Sequence, residues 1–201
     1  MRDLAWAPVP HSAWHHASDA AGKRTLLTAA IQLMGRYGVH GTSIRQLAEA
    51  SGLSNPALFK HFPNKEALVL ELFRRCYLAL HDELNHILQR EQAAETSLRQ
   101  LLQCFSHWLQ HYPDALLYLN EHFTSLWAQL PAEDQARSAL PRLHAWLAQQ
   151  PVPGSISLRA AILVGTLGQL ARLRFYQIDV PTDVDSLYTP LAPILLGGAH
   201  A

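Results

Sequence analysis

The sequence predicts an all-α protein of about nine helices, divided between a small N-terminal three-helix domain and a C-terminal helical bundle. Three observations predict it. Apolar residues recur at three- and four-residue spacing, and no segment alternates with the period of a strand. Glycines and prolines cut the chain into helix-length pieces. Its 201 residues are 49% hydrophobic and 16% charged, enough apolar material to close a core.

The elements follow in order. In KRTLLTAAIQLMGRY, Leu26, Leu27, Ala30, Leu33 and Met34 fall on one helical face, and Gly38 and Gly41 end the helix. Ser43 caps a second helix, with Gln46 completing a capping box and Ile44, Leu47 and Ala48 as its apolar face. Gly52 permits a sharp turn. Ser54 or Asn55 caps a third helix, and Pro56 sits in its first turn, where a missing N–H costs nothing. Leu58 and Phe62 face inward, leaving Asn55, Ala57, Lys60 and His61 outside.

Asn64 opens a long fourth helix, about 64–91, through Leu72, Phe73, Cys76, Tyr77, Leu80, Leu84 and Ile87. A fifth spans about 96–111 and a sixth about 113–129. Pro131 begins a seventh that Pro141 must kink or split. Pro151, Pro153 and Gly154 form a loop. The eighth helix, about 156–177, is almost continuously apolar, and Pro190 and Pro193 interrupt a ninth near 184–197.

Net charge is zero, but its distribution is uneven. Residues 19–75 carry eight lysines and arginines against four acids, whereas the chain from 76 onward carries seven arginines against eleven acids. A basic front and an acidic rear suit a nucleic-acid reader with a separate regulatory body. Only Cys76 and Cys104 are present, so no disulfide framework is expected, in keeping with a reducing cytoplasm. Residues 1–22 lack the apolar run of a signal peptide. The longest apolar stretch, 160–171, is too short to span a bilayer, and a soluble cytoplasmic protein without membrane contact is expected.

The second and third helices, joined by their tight turn, form a helix-turn-helix whose second helix would enter a DNA major groove. With its flanks the string reads Gly-x-x-Gly, Thr-Ser-Ile-Arg, Leu-Ala, Gly-Leu-Ser, Ala-Leu-Phe-x-His-Phe, x-Lys-Glu-Ala-Leu. Residues 23–70 thereby resemble the N-terminal domain of the TetR/AcrR family of transcriptional repressors. The resemblance implies an extension at 1–22, a DNA-binding domain at 23–68 and a ligand-binding and dimerisation domain at 69–201. It implies a homodimer that binds a palindromic operator in double-stranded DNA and is released by a small apolar effector. No cofactor, metal or enzymatic activity is expected.

The resemblance assigns DNA contact to Arg24, Ser43, Arg45, Asn55, Ala57, Phe59, Lys60, His61 and Lys65. Such a short helix offers about three or four side chains to base edges. Lys65 is similar to the family's phosphate anchor. Phe59 stands where the family usually has tyrosine, and its ring cannot donate a hydrogen bond to phosphate. The resemblance places an effector pocket among helices four to seven, with Phe73, Tyr77, His81, Phe105, Trp108, Tyr112, Phe123 and Trp127 as candidate lining, although such aromatics also read as ordinary core. It places the dimer interface on the last two helices, through Ala161, Gly165, Gly168, Leu191 and Leu195. Small residues there permit close approach, and the bland reading is a core helix within one chain.

Other classes remain open. Twelve histidines, with His107 and His111 at i, i+4 and a group at His11, His15 and His16, suggest a zinc-type sensor. The His11–His16 group is otherwise read as a disordered tail. An architectural DNA-binding protein without a ligand is a further alternative. No phosphate loop, nucleophile elbow or paired-carboxylate motif supports an enzyme, and Cys104 near His107 is a weak coincidence.

Overall fold

The computed structural model describes residues 14–197, and every regular element among them is helical. Helices α1 (Ala21–Tyr37), α2 (Ile44–Ser51), α3 (Asn55–His61) and α4 (Lys65–Leu88) are followed by α5 (Ala94–His111) and α6 (Pro113–Leu126). A 3₁₀ turn (Trp127–Gln129) then leads to α7 (Ala132–Gln135), α8 (Leu140–Ala148), α9 (Ile156–Phe175) and α10 (Val184–Leu196). The chain packs as two compact units. Among the described residues, one comprises 14–80 with Asp114–Arg137, the other His81–Pro113 with 138–197.

In the first unit α1 buries Leu26, Leu27, Ala30, Ile31 and Met34 against α2 and α3, whose Leu47 and Leu58 are fully enclosed. Full burial of one such side chain contributes about 1.5–3 kcal/mol. The helix ends are set locally. Ser43 Oγ accepts from the Gln46 amide at 3.2 Å while Gln46 Oε1 accepts from the Ser43 amide at 2.8 Å, a complete capping box. Gly52 closes α2 in the left-handed region at φ 70°. Ser54, rather than Asn55, caps α3 by accepting the Ala57 amide at 3.3 Å. Asn64 Oδ1 accepts the Ala67 amide at 2.7 Å at the start of α4.

This unit also takes in α6, because Tyr118 is fully buried and its hydroxyl donates to the Val69 carbonyl at 2.9 Å. Contact packing divides α4 after Leu80, two-thirds of the way along its 24 residues.

In the second unit α10 packs on α5 and α9, and α8 packs on α9. Arg99 of α5 pairs with Asp185 of α10 at 2.7 Å and lies over the Tyr188 ring. The Ser106 hydroxyl donates to the Thr182 carbonyl.

Three expectations about helices change. Pro141 does split the seventh predicted helix, and the split places it in the first turn of α8, where proline is tolerated. Pro190 and Pro193 do not interrupt α10, which runs through both. Their missing N–H groups would have met the carbonyls of Ser186 and Thr189, and these residues are exposed, so water can take their place. Finally, α9 lies where the eighth helix was expected, but the bilayer expectation drawn from the 160–171 run changes. An 18-residue stretch of this 20-residue helix has a mean hydropathy of 1.3, enough in length and composition to cross a bilayer, and 22% of that stretch is buried.

Candidate nucleic-acid interface

The α2–turn–α3 element is held from beneath by Leu47, Ala48, Leu58 and Phe62, all buried, so its outer face is fixed by packing. Asn55 and Lys60 are exposed there, and Phe59 stands 45% exposed between them. Arg24, Ser43 and Arg45 are exposed as well. The Ser43 hydroxyl is engaged with Gln46, so what it offers a phosphate is the amide end of α2.

The other three predicted contacts are placed differently. Ala57 is half-buried. His61 is half-buried against α1, with Nε2 3.0 Å from where a Cβ on Gly22 would lie. Lys65 is half-buried, and its ammonium donates to the Val39 carbonyl at 2.5 Å, which fixes the loop between α1 and α2. Gly41 in that loop tolerates no side chain, because a Cβ would collide with the Tyr37 carbonyl.

A network that sequence reasoning missed ties the segment before α1 to α4. The buried Arg75 guanidinium donates to both Asp19 oxygens, at 2.5 and 3.1 Å, to Glu71 at 2.7 Å, and to the Trp14 carbonyl at 3.1 Å. Burial raises the Asp19 pKa, but Arg75 and the His16 amide outweigh it and hold the carboxyl well below the usual carboxylate range. His15 bonds to Thr28 Oγ1 at 3.0 Å and lies 3.1 Å from the Arg24 carbonyl. Residues 14–20 are thus docked, while His11 of the predicted histidine group lies outside the described residues. An i, i+4 pair such as Glu71–Arg75 is visible in sequence; the contact 56 residues away is not.

The candidate pocket residues fall into two groups. Phe73, Tyr77, Phe123 and Trp127 cluster in the first unit with ring centroids 6.0–6.3 Å apart, and Trp127 Nε1 donates to the Tyr77 hydroxyl at 3.4 Å. Phe73 and Tyr77 are fully buried. His81, Phe105, Trp108 and Tyr112 belong to the second unit, where Trp108 and Tyr112 meet edge-on at 5.6 Å. His81 Nδ1 accepts the Ala139 amide at 3.0 Å, and burial pushes its pKa down to about 4.

Nearby, the Cys104 thiol donates to Glu83 at 3.4 Å. Burial, and then Glu83, raise the thiol pKa well above its ordinary value, which keeps it protonated rather than nucleophilic. Burial likewise raises Glu83. Glu83 was not singled out from sequence, yet the stripe Leu80, Glu83, Leu84, Ile87 carries an acid in an apolar face, and that was a legible sign.

Of the candidate dimer residues, Ala161 and Gly165 are exposed and Gly168 is half-buried. Leu191 and Leu195 are buried in the chain's own core, a correction to their predicted outward role. The apolar side chains exposed on these helices are Leu158 at 60%, Val164 at 47% and Ile194 at 41%. His107 and His111 stack at 4.3 Å, and among the described residues no group of three or more potential ligands converges on a metal position.

Residues 26–72 match the profile of the bacterial regulatory proteins of the tetR family. The HTH-type transcriptional regulator RutR of Escherichia coli (strain K12) is 39% identical over 56 residues, 28% of this chain and 26% of RutR. The matched stretch therefore spans about a quarter of that relative's length. The ketosteroid transcriptional regulator KstR2 of Mycobacterium tuberculosis superposes with a TM-score of 0.72 at 21% identity, covering 94% of this chain and 98% of KstR2. AibR, solved with isovaleryl coenzyme A and operator DNA, superposes at 0.67 with 18% identity, covering 88% and 98%. At these identities the whole-chain likeness is one of fold. The capped helix-turn-helix and its flanks therefore carry the N-terminal domain of the bacterial regulatory proteins of the tetR family over residues 26–72, and the all-helical body behind it shares the fold of solved regulators of that family.

Proposed function

We propose that the chain is a ligand-responsive transcriptional repressor of the cytoplasm. It binds a palindromic operator as a homodimer and is released by a small apolar effector. The observation that carries this reading is the face of α3: Asn55, Phe59 and Lys60 stand exposed on a helix whose caps and buried underside leave it no freedom to turn. Asn55 is suited to an adenine edge and Lys60 to guanine or phosphate.

One three-helix module buries too little surface for selective binding, so two copies related by a two-fold axis are required. The uncovered apolar side of α9 supports this pairing. Among the described residues, a Cβ at Gly165 meets no atom within 4 Å. An interior helical glycine costs about 0.8–1 kcal/mol relative to alanine, and nothing inside the protomer repays it. Close approach of a second α9 would, with Leu158, Ala161, Val164 and Ile194 around it.

The aromatic cluster of Phe73, Tyr77, Phe123 and Trp127 supports an apolar effector; AibR, which shares the fold, was solved with isovaleryl coenzyme A, of which only the acyl group is apolar. Release requires the effector to prefer the shape that does not fit DNA. Coupling of about 1–3 kcal/mol is typical, and a nearly complete switch needs about 5.5.

Selection from a pool of randomised duplexes tests the core of this reading. A two-fold-symmetric consensus is expected, and Asn55→Ala should change base preference at one position in each half-site. A pool that stays random at low ionic strength would overturn it.

A further inference from the structure

A cleft of about 450 Å³ lies in the second unit, where the end of α4 and the start of α5 face α8. Its volume is within the range of small-molecule sites, and neither aromatic group described above contributes to its wall. One stripe of α8 lines it: Arg142, Ala145, Trp146 and Gln149, spaced i, i+3, i+4 and i+7. Ala145 leaves room in the middle of that stripe. Trp146 is buried and forms an apolar wall. Arg90 and Gln92 stand across from it.

The polar lining is already ordered. Gln92 Nε2 donates to Ser97 Oγ at 3.1 Å and to Gln100 Oε1 at 3.0 Å, and both partners are buried. Gln150 Nε2 is held by the Trp146 carbonyl at 2.7 Å. The charges are not matched in the same way. Arg74, Arg75 and Arg99 each pair with carboxylates, but among the described residues neither Arg90 nor Arg142 enters an ion pair. The Glu91 carboxylate also lines the cleft, so its two guanidiniums leave one positive charge in excess, and their planar donor forks match carboxylate and phosphate oxygens.

We propose that this cleft binds a small organic oxyanion, a phosphate- or carboxylate-bearing metabolite. Arg90 and Arg142 hold its charge, and its body rests against Trp146. The site is independent of the operator and of the apolar effector proposed above.

Calorimetry on the full chain at low ionic strength tests it, with inorganic pyrophosphate in one titration and citrate in another. Saturable one-site binding of at least one probe, with Kd below about 1 mM, is expected, and the probe that binds distinguishes phosphate from carboxylate recognition. Arg142→Gln and Arg90→Gln should each weaken it at least tenfold, whereas Arg174→Gln, at an exposed arginine on α9, should leave it unchanged. Failure of both probes to saturate overturns the proposal, as does an Arg174→Gln loss equal to that of Arg142→Gln. Operator binding by the same variants is measured separately, so the two readings fail independently.

Discussion

His81 should make this protein's stability depend on pH between neutrality and pH 5. Its ring is 9% exposed, Nδ1 accepts the Ala139 amide, and burial pushes its pKa down to about 4 from an ordinary 6.5. Between those values the unfolded chain binds a proton that the folded chain refuses, so stability rises with pH through this window and is lost as pH falls. At pH 5 the unfolded ring is almost fully protonated and the folded ring mostly neutral. Linkage then costs the fold about 2 kcal/mol relative to pH 7, growing to about 3 kcal/mol below pH 4. His81→Gln keeps an acceptor for the Ala139 amide and removes the titration. Urea unfolding of both proteins at pH 7 and pH 5, at one protein concentration, should show the pH-dependent loss shrinking by about 2 kcal/mol in the variant. Burial also lowers His15, His16, His107 and His122, but these are common to both proteins and cancel. Identical pH dependence in the two would refute the reading of His81 as a neutral, buried acceptor.

Lys65→Ala should weaken operator binding evenly across sequences and lower the salt slope by about one; if affinity and slope hold, Lys65 serves only its contact with the Val39 carbonyl. Gly165→Leu projects into open space within the protomer, so the fold should survive while pairing is lost, and sedimentation at micromolar protein would expose an intact dimer as the contrary result. Asp19→Asn strips a carboxylate from the buried Arg75 and should cost about 3 kcal/mol in denaturant unfolding at pH 7, in line with breaking buried pairs. A loss under about 0.5 kcal/mol would show that Glu71 and the Trp14 carbonyl suffice for Arg75.

The α2–turn–α3 element was legible from residues alone, because each of its parts acts over three or four positions. The Ser43–Gln46 box, the left-handed Gly52 and the Ser54 cap are bonds between near neighbours, so their spacing is their mechanism. The same locality explains why Asn55 and Lys60 could be placed on the outer face and Leu58 on the inner one. Periodicity says which face of a helix a residue occupies, but not what lies over that face. His61 therefore reads as outward although α1 brings Gly22 against it, and Lys65 reads as a phosphate anchor although its ammonium donates to the Val39 carbonyl. Leu191 and Leu195 could not be told from Ile194 on a helix apolar on several sides; the packing of α10 on α5 and α9 decided which were enclosed.

What the sequence determined by itself was the identity of the reading head and the helical nature of everything behind it. Both follow from short-range hydrogen bonding, backbone freedom and apolar spacing. Tertiary structure alone decided that Asp19 would neutralise Arg75, that Glu83 would lie beside Cys104, and that Arg90 and Arg142 would share a cleft with a single acid, Glu91. Those outcomes depend on charges meeting from distant parts of the chain. The energy of such meetings is set by burial and distance in the folded state, which no spacing along the chain encodes.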